Sequence, residues 1–393
     1  MGKEFTFVHC ADLHLGSRFK GLEEDNPSLA GRMRKAVMES FERIVDTVIE
    51  RRADALVISG DLYDDSNELP STRVWFTSQL SRLDVPVFIC RGNHDSKTSW
   101  DQSIPYPQNV HEFGRDAQSV KIGEDIEVVG ISFSSPHESR NLAVMLEGDP
   151  SRFTIACLHC NLDSVSEGYN YAPCRMQDMV GRNIDYWALG HIHKRAIVSQ
   201  MPYVVYPGNI QGRSFKETGP KGAYLVTVKD RRIASCEFIP THSVALYDLS
   251  VDIADKNLND VISELKNTMG RGAVCRITFT GSGDLDGILR TQGDDVVRGI
   301  RESCGALSVT LIVCTTSAVD VSSMSGGKDM AAALIRTADK MSAMTKEELV
   351  GIICQNRIAG RYRDAYMFLS EEEIRDLVTE SLRNTLARME VSR

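Results

Sequence analysis

Ala55-Leu56-Val57-Ile58-Ser59-Gly60-Asp61 is the stretch that decides how this chain is read: an apolar run stops abruptly at a glycine and a carboxylate. A short continuous apolar run with such a boundary reads as a buried strand. The event recurs four more times in the first half. Phe5-Thr6-Phe7-Val8 leads to Asp12-Leu13-His14, and Val85-Pro86-Val87-Phe88-Ile89 leads to Gly92-Asn93-His94-Asp95. Phe153-Thr154-Ile155-Ala156 leads to His159, and Tyr186-Trp187-Ala188-Leu189 leads to Gly190-His191-Ile192-His193. In open α/β sheets ligands bind outside the carboxyl ends of the strands, so five such ends gather these residues into one crevice.

Helical patterns lie between the strands. The clearest runs from about Leu29 to Arg52, with Met33, Val37, Phe41, Ile44, Val45, Val48 and Ile49 on one face. Alternation of strand and helix makes the first region an α/β layered domain. Further strands are expected at Tyr203–Tyr206, Ala223–Val228 and Ala234–Ile239, with a boundary at Pro240. Residues 241–316 repeat strand and helix as a small α/β cap. Ser322-Ser323-Met324-Ser325-Gly326-Gly327 reads as a flexible hinge, and residues 317–393 form that hinge and a helical tail. The last helix places Ile374, Leu377, Val378, Leu382, Leu386 and Met389 on one stripe, which either packs within its own domain or docks another chain.

The 393 residues carry a net charge of −9, with 42% hydrophobic content, which argues against broad nonspecific nucleic-acid binding. The charge is uneven, however. From His191 to Arg232 eight cations (Lys194, Arg195, Arg213, Lys216, Lys221, Lys229, Arg231, Arg232) face two anions (Glu217, Asp230), a local +6 that suits a phosphate-rich substrate. No apolar stretch has membrane-span length and no signal-peptide core opens the chain, so a cytoplasmic protein without a membrane anchor is expected. The ten cysteines then read as reduced, mostly buried thiols.

Two divalent ions about 3.5–4 Å apart can share a carboxylate and a hydroxide that attacks phosphorus in line. Asp61 is the natural bridge. Asp12, His14 and His193 complete one sphere, and Asn93, His159 and His191 the other. Carboxylate, amide and imidazole without thiolate suit Mn²⁺, Fe²⁺ or Zn²⁺. His94, beside the ligand Asn93, is placed to protonate a leaving oxygen, and Asp95 to orient that imidazole. Five of the nine histidines fall in these motifs; His9, His111, His137 and His242 lack such a context and read as structural.

The ordered set Asp12-x-His14, Gly60-Asp61-x-x-Asp64, Gly92-Asn93-His94-Asp95, His159 and Gly190-His191-x-His193 resembles the calcineurin-like metallophosphoesterases over about the first 240 residues. Ala11-Asp12-Leu13-His14-Leu15-Gly16, Tyr171-Ala172-Pro173, Asp185 to His193 and Tyr206-Pro207-Gly208-Asn209-Ile210-Gln211-Gly212-Arg213 narrow the likeness to YhaO-type DNA repair exonucleases, relatives of the nuclease subunit of SbcCD. The resemblance implies a β-sandwich core flanked by helices and a Mn²⁺-dependent DNA nuclease, often dimeric. It also implies a DNA-facing cap and C-terminal helices that bind an SMC-like ATPase of SbcC or YhaN type. Asp64, Lys194, Arg195, Asn209 and Arg213 are the candidate substrate contacts. Some relatives place a histidine at Asp64 that helps position the DNA phosphate, so this difference leaves the balance of exonuclease and endonuclease action open. Two competing readings are a phosphatase or phosphodiesterase acting on a small molecule or protein, and a non-catalytic scaffold that retains the fold. The presence of every expected ligand disfavours the scaffold, and Asp95 stands where protein phosphatases of this kind carry glutamate.

Overall fold

Each of the five apolar runs forms a strand in the computed structural model, which describes residues 4–19, 26–64, 69–96, 103–163, 171–316, 327 and 329–391. In chain order the first unit, Met1–Leu246, begins with β1 (Glu4–Cys10), α1 (Pro27–Glu50), β2 (Ala55–Ser59), α2 (Pro70–Leu80) and β3 (Val87–Cys90). It continues with β4 (Val110–Glu112), β5 (Gln118–Ile122), β6 (Ile126–Ile131), β7 (Phe153–His159), β8 (Asn161–Leu162), β9 (Pro173–Cys174) and α3 (Met176–Met179). It closes with β10 (Tyr186–Gly190), β11 (Ala196–Gln200), β12 (Tyr203–Tyr206), β13 (Gly222–Lys229) and β14 (Arg232–Pro240).

These strands make two six-stranded sheets, ordered β14-β13-β1-β2-β3-β4 and β11-β12-β10-β7-β6-β5. Phe7, Val57 and Phe88 of the first sheet share one buried core with Val128, Ile155 and Tyr186 of the second, so the sheets stack face to face as a β-sandwich. β1, β2 and β3 run parallel, as do β6, β7, β10 and β12. That common direction brings the five carboxyl ends to one edge of the sandwich.

Helix α1 covers the outer face of the first sheet with Met33, Val37, Phe41, Ile44, Val45 and Val48, all buried, against β1 and β13. Its start is locally encoded: Asn26 accepts the Leu29 amide at 3.0 Å and Pro27 occupies the first turn. The outer face of the second sheet is covered by Leu142, Leu146, Met179 and Ile184, packed on Leu158, Trp187 and Leu189. The sequence reading passed over α2, β4, β5, β6 and β11. In β6, Glu127 interrupts an otherwise apolar run, and its carboxylate is satisfied in the interior by Ser119, the Asp149 amide at 2.7 Å and Thr154 at 3.2 Å.

The second unit, Tyr247–Arg393, begins one residue into β15 (Leu246–Asp252) and contains α4 (Leu258–Thr268), β16 (Val274–Thr280), α5 (Leu285–Thr291), α6 (Gly293–Cys304) and β17 (Ser308–Val313). Its sheet, β15-β16-β17, packs Ile277 and Phe279 against Val261, Leu265, Val296 and Ile300. Helices α7 (Met330–Ser342), α8 (Lys346–Ile353), α9 (Arg363–Phe368) and α10 (Glu371–Val391) follow. The expected hinge at Ser322 to Gly326 lies outside the described residues. The apolar stripe of α10 is partly accounted for inside the tail: Ile374 and Val378 pack with Ala338, Leu349 and Val350, while Leu377 is 39% exposed. Among the described residues no helix is long and apolar enough to cross a membrane.

Candidate metal centre

The turns that follow the strands are strained where they carry polar groups. Asp12, His14, Asp61 and His191 hold φ of 52°, 46°, 50° and 102°, conformations that cost roughly 1–3 kcal/mol each for side-chain-bearing residues. Surrounding contacts hold them there. The loops after β1 and β2 pair with each other, Asp12 N donating to Gly60 O at 3.1 Å, His14 N to Asp61 O at 2.9 Å and Leu15 N to Leu62 O at 2.8 Å. Two glycines permit the close approach. A Cβ at Gly92 would lie 2.2 Å from Asp61 Oδ1, and one at Gly190 would lie 1.7 Å from Ser59 O.

The ligand-type side chains meet in one cluster. Asp12, His14 and His193 offer donor atoms within 4.8 Å of one another, as do Asp12, Asp61 and His159. Asp61 Oδ2 lies 3.9 Å from His14 Nε2 and 3.5 Å from His159 Nε2, between the two groups. Asn93 Oδ1 is 3.2 Å from His159 Nε2. The His191 ring meets the His159 ring edge-on at 5.2 Å, and its backbone N–H donates to both Asp12 oxygens at 3.0 and 3.2 Å.

The donor set fits a pair of divalent cations on the geometry of its imidazoles. His14 and His193 bring their Nε2 atoms to 3.0 Å. The opposite ring nitrogen faces a carboxylate in each case, Asp64 Oδ1 at 3.4 Å from His14 and Glu217 Oε1 at 2.6 Å from His193. The Glu217 carboxylate takes the His193 Nδ1 proton, which leaves the His193 Nε2 lone pair turned toward His14, where a cation would be ligated by both Nε2 atoms. His159 is oriented the same way, its Nδ1 donating to Ser59 O at 3.0 Å. Burial, followed by Arg213, holds His14 well below its ordinary range, and burial with the neighbouring His159 pushes His191 down to about 3. Both are therefore neutral and ready to ligate. Burial alone would raise Asp61, but His159, His14 and His94 outweigh it and keep the carboxylate ionised. Burial also opposes charge on His159, where Asp61 and Asp12 pull the other way and raise it.

His94 stands beside this cluster, 29% exposed, with Nδ1 3.4 Å from Asp64 Oδ1. The residue that faces its imidazole is thus Asp64. Asp95 is placed differently from the expectation: its buried carboxylate accepts the Leu62 amide at 2.8 Å and the Gly92 amide at 2.7 Å, tying two ligand loops together. Burial and the adjacent Asp61 push Asp95 up to about 7. Arg213 reaches the cluster, its Nη1 donating to Ser17 Oγ at 3.2 Å and Asp64 Oδ1 at 3.3 Å. The other expected substrate contacts separate. Asn209 is buried and turns its amide to Gln211 O and Glu217 Oε2, at 2.8 and 2.9 Å, because the loop needs those donors. Arg195 stacks its guanidinium on Phe238 at 4.0 Å, and Lys194 is exposed. The basic stretch is likewise dispersed: Arg231 binds the Pro150 and Arg152 carbonyls, and Lys221 is buried with Nζ 2.9 Å from His193 O.

Glu217, Lys221 and Ser17 are neighbours of the cluster that sequence reasoning missed. Glu217 and Lys221 entered it only as charges to be summed. An acid embedded in a cationic stretch was the available signal. Burial would raise Glu217, but the hydrogen bond from His193 and the nearby Arg213 draw its carboxyl down to about 2.

Residues 5–195 match the calcineurin-like phosphoesterase family. The chain is 34% identical over 280 residues to the metallophosphoesterase YhaO of Bacillus subtilis strain 168, covering 68% of this chain and 68% of that protein. It is 24% identical over 285 residues to the DNA double-strand break repair protein Mre11 of Sulfolobus acidocaldarius, covering 67% and 71%. With SbcD of the SbcCD nuclease from Staphylococcus saprophyticus it shares 25% over 295 residues, covering 65% and 73%. The strand-end cluster and these likenesses agree: the chain belongs to the calcineurin-like metallophosphoesterases.

Proposed function

We propose that this protein is a divalent-metal-dependent DNA nuclease, with Mn²⁺ the favoured ion, acting as an exonuclease or endonuclease in DNA repair. The observation that carries the reading is the convergence of Asp12, His14, Asp61, Asn93, His159, His191 and His193 with His94 at its open side, in a chain similar to Mre11 and SbcD. Two divalent ions held by these ligands would activate the attacking water and neutralise charge on the phosphoryl oxygens. The remaining work falls to the protein. Asp64, with Oδ1 3.4 Å from His94 Nδ1, would orient that ring, and His94 Nε2 would deliver a proton to the leaving oxygen. Arg213, braced on Ser17 and Asp64, supplies positive charge beside the phosphate. The loop pairing after β1 and β2 fixes Asp12, His14 and Asp61 relative to one another before substrate arrives.

The test is digestion of end-labelled duplex and single-stranded DNA with Mn²⁺, Mg²⁺ or Zn²⁺, beside a generic phosphodiester and a phosphomonoester, with Asp61→Asn as the inactive control. Cleavage of DNA with Mn²⁺ is expected. Turnover of the phosphomonoester alone favours the phosphatase reading, and no turnover of any substrate favours the scaffold. For the second unit we propose docking to an SMC-like ATPase. A groove of about 350 Å³ lined by Leu334, Ala338, Met341, Ile353, Tyr366 and Leu382 supports this, as do the exposed Phe368 and Ile358. Co-purification with an ATPase encoded beside this chain, lost on truncation at Ser325, is the expected result.

A further inference from the structure

We infer that Glu217 is a positioning residue for the metal centre, fixing which nitrogen of His193 faces the ions and locking that choice to the loop that carries Arg213. The inference rests on the dimetal reading and extends it to a residue outside the ligand set.

The two oxygens of Glu217 are committed in different directions. Oε1 accepts from His193 Nδ1 at 2.6 Å. Oε2 accepts from Asn209 Nδ2 at 2.9 Å and from the Arg213 backbone amide at 2.7 Å. Three donors therefore converge on one carboxylate whose side chain is only 15% exposed. An ionised carboxylate only accepts, so the proton of the His193 ring sits on Nδ1 and the lone pair on Nε2. Nε2 is the atom 3.0 Å from His14 Nε2, on the ion side of the ring. The peptide of His193 is held by the same segment: Lys221 Nζ donates to His193 O at 2.9 Å, and the Asn209 amide donates to it at 3.4 Å. Residues 209–221 thus grip His193 at ring and backbone, and Glu217 is the part of the grip that selects the tautomer.

Glutamine cannot replace it. With its oxygen toward His193, the amide nitrogen of Glu217→Gln meets the donors of Asn209 and Arg213. With its oxygen toward the loop, the amide nitrogen meets His193 Nδ1, which must then accept, and the proton moves to Nε2 where the ion should bind. Either orientation loses one set of bonds.

The experiment is a Mn²⁺ titration of the full-length protein followed by calorimetry and electron paramagnetic resonance, so that it reads ion binding without DNA. Wild type is expected to take two ions. Glu217→Gln should weaken one of them roughly 10–100-fold, the usual worth of such an outer partner, and leave the other unchanged. In a His193→Ala background the same substitution should add nothing. Wild-type affinity for both ions in Glu217→Gln overturns the inference, and so does a full effect in the His193→Ala background, because Glu217 would then act through the loop. A wild type that binds fewer than two ions overturns the dimetal reading and this inference with it. A second measurement does not need the variant to fold. In ¹⁵N-histidine-labelled wild type without metal, the His193 ring, assigned by its absence in His193→Ala, should show the Nδ1–H tautomer, and an Nε2–H tautomer is the contrary result.

Discussion

The strand-end cluster and the helical tail obey different rules. In the tail, local sequence and structure agree: Asp329 caps α7 through the Ala332 amide at 3.0 Å, and Thr345 and Glu348 form a reciprocal capping box at the start of α8. Its interior is apolar, built from Leu349, Val350, Ile374 and Val378. At the strand ends, four ligand-type residues sit at positive φ and carboxylates and imidazoles are buried together. Local preference is violated there. The tail gains stability from local agreement, whereas the strand-end cluster is assembled from conformations that each residue alone would avoid.

The largest functional effects are expected from the strained cluster. Asp61→Asn should remove turnover and weaken both ions, since a neutral amide bridges two cations poorly. Two ions bound by calorimetry with unchanged affinity would contradict the bridging role. Next is His94→Ala, for which metal content stays nearly intact while turnover falls by roughly 10²–10⁴-fold. Asp64→Asn should also lower turnover in the same assay and add to His94→Ala, because its carboxylate lies against His14 and Arg213 as well as His94. Loss of both ions from His94→Ala, measured by metal analysis, would break the separation between ligand and proton donor.

A smaller effect tests the stability cost of burying polar groups under the cluster. His9 is buried on β1 between Tyr186 OH at 3.0 Å and Ser59 Oγ at 3.3 Å, and burial pushes it down to about 3. The unfolded chain takes up that proton near pH 6.5 and the folded chain only near 3, so stability should fall as pH drops through that window, by about 1.4 kcal/mol per unit. Between pH 6.5 and 5 the wild type without metal should therefore lose about 2 kcal/mol more than His9→Gln in urea unfolding. Parallel pH slopes for the two proteins would remove His9 from the account. The smallest effect is in the tail. Thr345→Ala should lower the stability of the second unit by about 1 kcal/mol and leave phosphodiester cleavage untouched, as hydrogen exchange and a turnover assay would show.

The strands of the site were legible because each ends in a change of chemistry. Ile58 to Asp61 and Leu189 to His193 announce themselves, and α1 does so through its apolar face. The strands β4, β5, β6 and β11 end in nothing chemically distinctive and went unseen. Within the site, residue type pointed to the side chains that converge, whereas the partners of His94 and His193 depended on side-chain direction. Asp95 follows His94 directly in sequence yet turns into the backbone of two loops, and Asp64, thirty residues earlier, faces the ring. Asn209 and Arg195 illustrate the same limit, since a polar residue near a site is as readily claimed by its own loop or by an aromatic ring.

The position of β1 has a consequence for how the protein is made. This strand pairs with β2 on one side and with β13 on the other, from Glu4 opposite Lys229 to His9 opposite Tyr224. During synthesis β1 keeps an open hydrogen-bonding edge until some of the last residues of its domain arrive. His159, His191 and His193 are also made before that edge is sealed. The nascent chain therefore passes through a period in which the β1 edge is unpaired, and the arrival of β13 ends that exposure.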